Sequence, residues 1–242
     1  MTSGFSYSGT ELDALAGARN YYRAIIDHFR PHFGRRVLEV GAGIGTFARH
    51  VLDETSVEEM LLLEPADNTI SMLRERFAND SRITVTQGYL EQLSPVPQVD
   101  SVVAVNVIEH VENDVGFLRA AHGTLKPGGR VLLFTPALSQ IFGTLDEAFG
   151  HFRRYTKTTL GDRLRAAGFE NVRLRYTNFP GIASWFLAGR VLRKRTIAPR
   201  DVAVYDRLVM PWVAAMERHW EPPLGQSVIA IATRGSTSRT HD

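Results

Sequence analysis

The sequence has 242 residues, 44% hydrophobic and 22% charged, the balance of a globular chain and not of a disordered or collagen-like one. Its net charge of +2 creates no demand for nucleic acid as a partner. The absence of cysteine excludes a disulfide framework, a thiolate metal site and a cysteine nucleophile, and fits a reducing cytoplasm.

Residues 1–5 lack the basic and apolar regions of a signal peptide. No apolar run approaches the roughly 18 residues of a spanning helix. The longest, 182–192 and 208–216, are interrupted by Gly189 and Pro211, so no stable membrane insertion is expected. Arg190, Arg193, Lys194, Arg195 and Arg200 form the one local basic cluster, read as a solvated helix face and turn.

In chain order, Leu15, Ala18, Tyr22, Ile25 and Phe29 recur at helical spacing and predict a helix over 11–33. A short β run, 35–40, feeds the glycine-rich loop 41–45 and a helix over 46–52. Strands over 60–63, 82–86, 100–105 and 130–135 alternate with helices over 67–77 and 112–125. This alternation predicts a parallel sheet covered by helices on both faces. A loop follows over 136–155, then a helix (156–167), a strand (172–176), a mostly helical stretch and a last strand (227–233). The polar tail 235–242 is expected to be disordered.

The first constellation is VLEVGAGIG at 37–45, followed about twenty residues later by Glu64 at a strand end. Glycines there let the backbone turn tightly and approach a ligand at a helix N-terminus. A carboxylate at the position of Glu64 can accept both hydroxyls of a ribose. The pair fits a nicotinamide-dependent oxidoreductase or an S-adenosylmethionine enzyme. Two details favour the second: Thr46 stands where a dinucleotide site places its third glycine, and Glu39 lies inside an otherwise apolar strand, where a buried carboxylate needs a partner.

With LLLEP (61–65), NVIEHV (106–111) and LKPGG (125–129), the set resembles the class I S-adenosylmethionine-dependent methyltransferases. YYRAI (21–25), FGTLDEAFGHFRRY (142–155) and PPLGQSV (222–228) are similar to a bacterial subgroup, some members of which are fused to glycosyltransferases or encoded near them. The resemblance implies a doubly wound Rossmann-like seven-stranded sheet of order 3-2-1-4-5-7-6, the last strand antiparallel. It divides the chain into a helical cap (1–34), a cofactor-binding core (35–180), a helical lid (181–220) and a last strand with tail (221–242). S-adenosylmethionine is the implied cofactor. Glu39, Gly41, Ala42 and Gly43 would line its methionine end, and Glu64 would hold the ribose. Pro65, Gly88 and Tyr89 would flank the adenine. Asn106 and Val107 would pass under the sulfonium, with Tyr21 closing over it.

Methyl transfer needs alignment, a dry site and a group to take the acceptor's proton. His151, His110 and Tyr155 are the candidate bases. Arg153 and Arg154 could hold an acceptor anion, and Trp185 belongs to an apolar lid face that would wall the acceptor or form a dimer contact. In ubiquinone-pathway O-methyltransferases, which share the Glu-His pair, a carboxylate stands at the position of Asn106 and the set can bind a divalent metal. Asn106, Glu109 and His110 make a poorer set for a hard cation, so no metal is expected. The expected function is methylation of O or N on a small-molecule acceptor, in secondary metabolism, by a monomer or homodimer. A non-catalytic S-adenosylmethionine-binding module and the nicotinamide oxidoreductase are the rivals. A nucleic-acid methyltransferase would carry an extended basic and aromatic surface.

Overall fold

The computed structural model describes residues 6–7 and 11–236. The tail from residue 237 onward, expected to be disordered, lies outside the described residues. Strand β1 (Arg36–Val40) is buried along almost its whole length, because helices cover both faces of the sheet and leave no solvated side for a polar alternation. It pairs in parallel with β2 (Glu59–Glu64) and β4 (Val99–Val105). β3 (Ile83–Gln87) lies outside β2 and β5 (Leu125–Pro136) outside β4, both parallel. β7 (Ser227–Arg234) is antiparallel to β5 and to the edge strand β6 (Phe169–Thr177). The order is β3-β2-β1-β4-β5-β7-β6, as expected.

Two apolar clusters sandwich the sheet. One holds Ile25, Phe29, Phe47, Val51 and Leu73 from α2 (Arg19–Phe29), α3 (Thr46–Glu54) and α4 (Asp67–Arg76). The other holds Phe117, Leu118, Leu160 and Leu164 from α5 (Asp114–Thr124) and α7 (Lys157–Ala166). β1 and β4 diverge at their C-terminal ends toward different helices, the crevice where open α/β sheets bind ligands.

The structure departs from expectation in places that shape this crevice. The helix over 11–33 is broken into α1 (Glu11–Leu15) and α2, with the Ala18 N–H closing a turn onto the Leu15 carbonyl and a 3₁₀ turn over Arg30–His32. β5 starts at Leu125, because Leu125 pairs with Val99 ahead of an irregularity in the ladder. The 136–155 loop contains a short helix, α6 (Thr144–Phe149). Beyond β6, the chain forms α8 (Gly181–Phe186), a π-helical turn (Leu187–Val191), α9 (Pro199–Leu208) and α10 (Met210–Glu217). α9 packs on α1 and α2, and α10 on α2, so the C-terminal helices meet the N-terminal ones above the crevice.

Candidate active site

The glycine loop is held down at both ends. The N–H groups of Gly41 and Ala42 donate to the Leu63 carbonyl at 2.8 and 3.1 Å. Gly41 has φ +68°, and a Cβ there would lie 2.6 Å from Cγ2 of Val107, so only glycine fits under that side chain. Glu64 accepts the Gly43 N–H at Oε2 (2.7 Å) and the Ala66 N–H at Oε1 (2.9 Å). Each oxygen keeps acceptor capacity, and the residue borders the cavity described below.

Glu39 is 3% exposed and its Oε2 has no hydrogen-bond partner. Burial, and then the Glu64 carboxylate, push its pKa well above the usual carboxylate range. A buried carboxylate of this kind calls for a cationic or N–H partner. The free α-ammonium of S-adenosylmethionine and its ribose diol match Glu39 and Glu64 in chemistry, so the residues present fit that cofactor. Tyr21 closes this end: Asn106 Nδ2 donates to its hydroxyl at 2.8 Å and its ring stands edge-on to Phe134. Burial raises the Tyr21 phenol far above its ordinary value, so it stays protonated.

The second half of the site comes from the chain after β5. α6 ends at Gly150, in the left-handed conformation at φ +76°. The following residues are stitched across the sheet edge, with Phe152 N–H donating to the Glu109 carbonyl and Tyr155 N–H to the Pro136 carbonyl. This brings His151 against His110, with ring centroids 4.8 Å apart and planes nearly perpendicular. Nδ1 of His151 is 2.8 Å from Oδ1 of Asp146, leaving Nε2 free. Asp146, fully buried, also accepts from Arg154, the Gly143 N–H and Trp185 Nε1. Burial opposes its charge, yet His151 and Arg154 hold its carboxyl below the ordinary range.

Glu109 is fully buried. Oε2 accepts from Thr135 at 2.9 Å, and Oε1 has no partner. Burial pushes its pKa up to about 7, with His151 and Arg154 pulling the other way. Burial and then His151 lower His110 to about 4, against a hydrogen bond to the Gly150 backbone, so His110 is neutral near pH 7. An imidazole oriented by a carboxylate at one nitrogen and free at the other can act as a general base.

One cavity of ≈ 810 Å³ touches all eleven residues assigned to the cofactor from sequence, together with His110, His151 and Trp185. Three expected site residues lie elsewhere, which corrects their assignment. Tyr155 is 2% exposed, its hydroxyl bonded to Asp114 (3.1 Å) and the Ile108 carbonyl, so it has no access to an acceptor. Arg154 is spent inside the protein on Asp146 and the carbonyls of Ala137 and Gln226. Arg153 pairs with Asp114 at 2.8 Å and donates to the Glu112 carbonyl. Sequence reasoning also missed Asp206 and Glu217. Buried Asp206 accepts from the N–H groups of Asn20 and Tyr21 and so seats α2. Buried Glu217 accepts from Thr177 and from the Asn178 and Phe179 N–H groups and so ties α10 to the end of β6. The one sequence trace of the first is that Ala18, where α2 begins, cannot cap a helix.

The sheet order, the antiparallel β7, the glycine loop and the two carboxylates define the class I S-adenosylmethionine-dependent methyltransferase fold. The profile of the methyltransferase-domain family matches residues 15–174, and the chain belongs to that family. Among curated relatives, it is 32% identical over 141 residues to a Mycolicibacterium smegmatis protein named "Probable S-adenosylmethionine-dependent methyltransferase", covering 57% of this chain and 52% of that one. It is 25% identical over 133 residues to the tRNA U34 carboxymethyltransferase of Pseudoalteromonas translucida, covering 54% and 41%. The matches thus span about half the length of these relatives. In fold it is similar to Haemonchus contortus phosphoethanolamine N-methyltransferase 2, solved with phosphomonomethylethanolamine and S-adenosylhomocysteine, with a TM-score of 0.66 at 20% identity, covering 95% of this chain and 58% of that one. No helix among the described residues is long and apolar enough to cross a membrane.

Proposed function

We propose that the chain transfers a methyl group from S-adenosylmethionine to an oxygen or nitrogen of a small-molecule acceptor in bacterial secondary metabolism. The observation that carries this reading is the single cavity running from Glu39 and Glu64 to Glu109, His110 and His151, with Trp185, Leu187 and Leu192 of the lid on its wall. Its ≈ 810 Å³ lies toward the upper end of the roughly 300–1,000 Å³ usual for small-molecule sites, which suits a cofactor and an acceptor side by side.

When bound, S-adenosylmethionine supplies a methyl group already activated on a sulfonium. The protein's own task is placement. Glu64 takes the ribose hydroxyls and Glu39 the ammonium, while Asn106, Val107 and Tyr21 border the sulfonium end. The acceptor lies toward His110 and His151, where the cluster receives its proton. The apolar lid wall excludes water and favours an acceptor with an aromatic or aliphatic body.

Thermal unfolding with S-adenosylhomocysteine, S-adenosylmethionine, NAD⁺ and NADP⁺ tests the reading. A ligand at about 100 times its dissociation constant adds roughly 2.7 kcal/mol, several degrees for a chain of this size. A rise with the two adenosyl sulfur ligands alone is expected. A rise with a nicotinamide ligand instead would overturn the reading.

A further inference from the structure

Glu109, His110 and His151 share an arrangement that proton transfer by one histidine leaves unexplained. Each has an outer atom tied to the protein. His151 Nδ1 bonds Asp146 Oδ1 at 2.8 Å, the His110 ring bonds the Gly150 backbone, and Glu109 Oε2 accepts from Thr135 at 2.9 Å. Each also offers one donor atom to the others, and these atoms all lie within 4.8 Å of one another. Glu109 Oε1 is fully buried and has no hydrogen-bond partner.

Side chains held by oxygen partners while their donor atoms converge are the pattern of metal ligands, in which a bond to the outer atom sets imidazole tautomer and orientation. Two imidazoles with one carboxylate select a divalent first-row transition ion over Mg²⁺ or Ca²⁺, which favour all-oxygen sets. Bonds of about 2.1 Å put neighbouring ligands about 3 Å apart, so the widest pair closes by roughly 1–2 Å on binding. Asn106 is committed to Tyr21 at 2.8 Å and takes no part. The third ligand is His151, delivered by a loop distant in sequence.

We propose that Glu109, His110 and His151 bind one divalent transition ion through three protein ligands, its open face on the cavity. The ion's role there, coordinating an acceptor oxygen, rests on the methyl-transfer reading; its binding does not.

The test uses the full chain, stripped with EDTA and titrated with Co²⁺ alone, followed by calorimetry and visible absorption. One ion per chain is expected, with micromolar or tighter affinity and a d–d spectrum distinct from the aqueous ion. Glu109→Gln and His151→Ala should each weaken binding at least about tenfold while keeping the native circular dichroism. For a readout free of folding effects, Co²⁺ should broaden the ring protons of two histidines of the eight in the unsubstituted chain. No saturable heat with an unchanged aqueous spectrum, broadening of other histidines, or full affinity in both folded variants would each overturn the proposal. Failure of the methyl-transfer reading is separate: it appears as no response to S-adenosylhomocysteine in the unsubstituted chain.

Discussion

Arg153 and Arg154 are neighbours with the same side chain and different fates. Arg154 is buried on Asp146 and two carbonyls, while Arg153 reaches Asp114 from a partly exposed position. They are adjacent in the sequence, so the direction of the loop, not the residue type, distinguishes them. Removing one partner of a buried ion pair costs about 3–5 kcal/mol. Arg154→Met should therefore lose roughly that much stability, measured by urea unfolding. For His151 the proposed function makes a different prediction. His151→Ala should keep S-adenosylhomocysteine affinity, measured by calorimetry, and lose about 10²-fold or more in turnover with the true acceptor. Retained turnover would exclude His151 from the reaction both as the proton-accepting group and as a ligand of a required ion.

At the scale of elements, β1, β2 and β4 were legible because an apolar run followed by glycines, by Glu-Pro or by Asn-Val-Ile-Glu-His has few alternative readings. The N-terminal helix was only half legible. Its periodicity shows, but the break before Arg19 depends on Asp206 of α9 reaching the Asn20 and Tyr21 N–H groups. A carboxylate capping a helix from a distant segment leaves no local pattern to read. Losing a side-chain cap costs about 0.5–2 kcal/mol, and Asp206→Ala should lose that much in denaturant unfolding. Because the same contact seats Tyr21 over the cavity, the variant should also bind S-adenosylhomocysteine several-fold more weakly.

For the whole molecule, packing of the N-terminal and C-terminal helices against the sheet buries groups that titrate. Burial, and then the Arg175 charge, lower His28 from 6.5 to about 4. The unfolded chain therefore takes a proton there at a pH where the folded chain does not. This contribution to stability is complete above about pH 6.5, declines as pH falls toward 4, and levels off below that. His28→Gln should flatten the dependence of melting temperature on pH between 4 and 6.5. An unchanged slope would show that other groups dominate acid unfolding.

From the sequence by itself came the alternation of strands and helices, which depends on local periodicity, and the glycine loop with the resemblance that implied the strand order, which depend on motifs contiguous in the chain. The tertiary structure alone decided which residues of the 136–155 loop face the cavity. His151 meets His110 because the Gly150 turn and two backbone hydrogen bonds lay one loop across the end of β5. Tyr155, in that same loop, points into the core. A side chain's exposure, its partners and its charge state depend on what packs against it from far along the chain, and no local pattern encodes that.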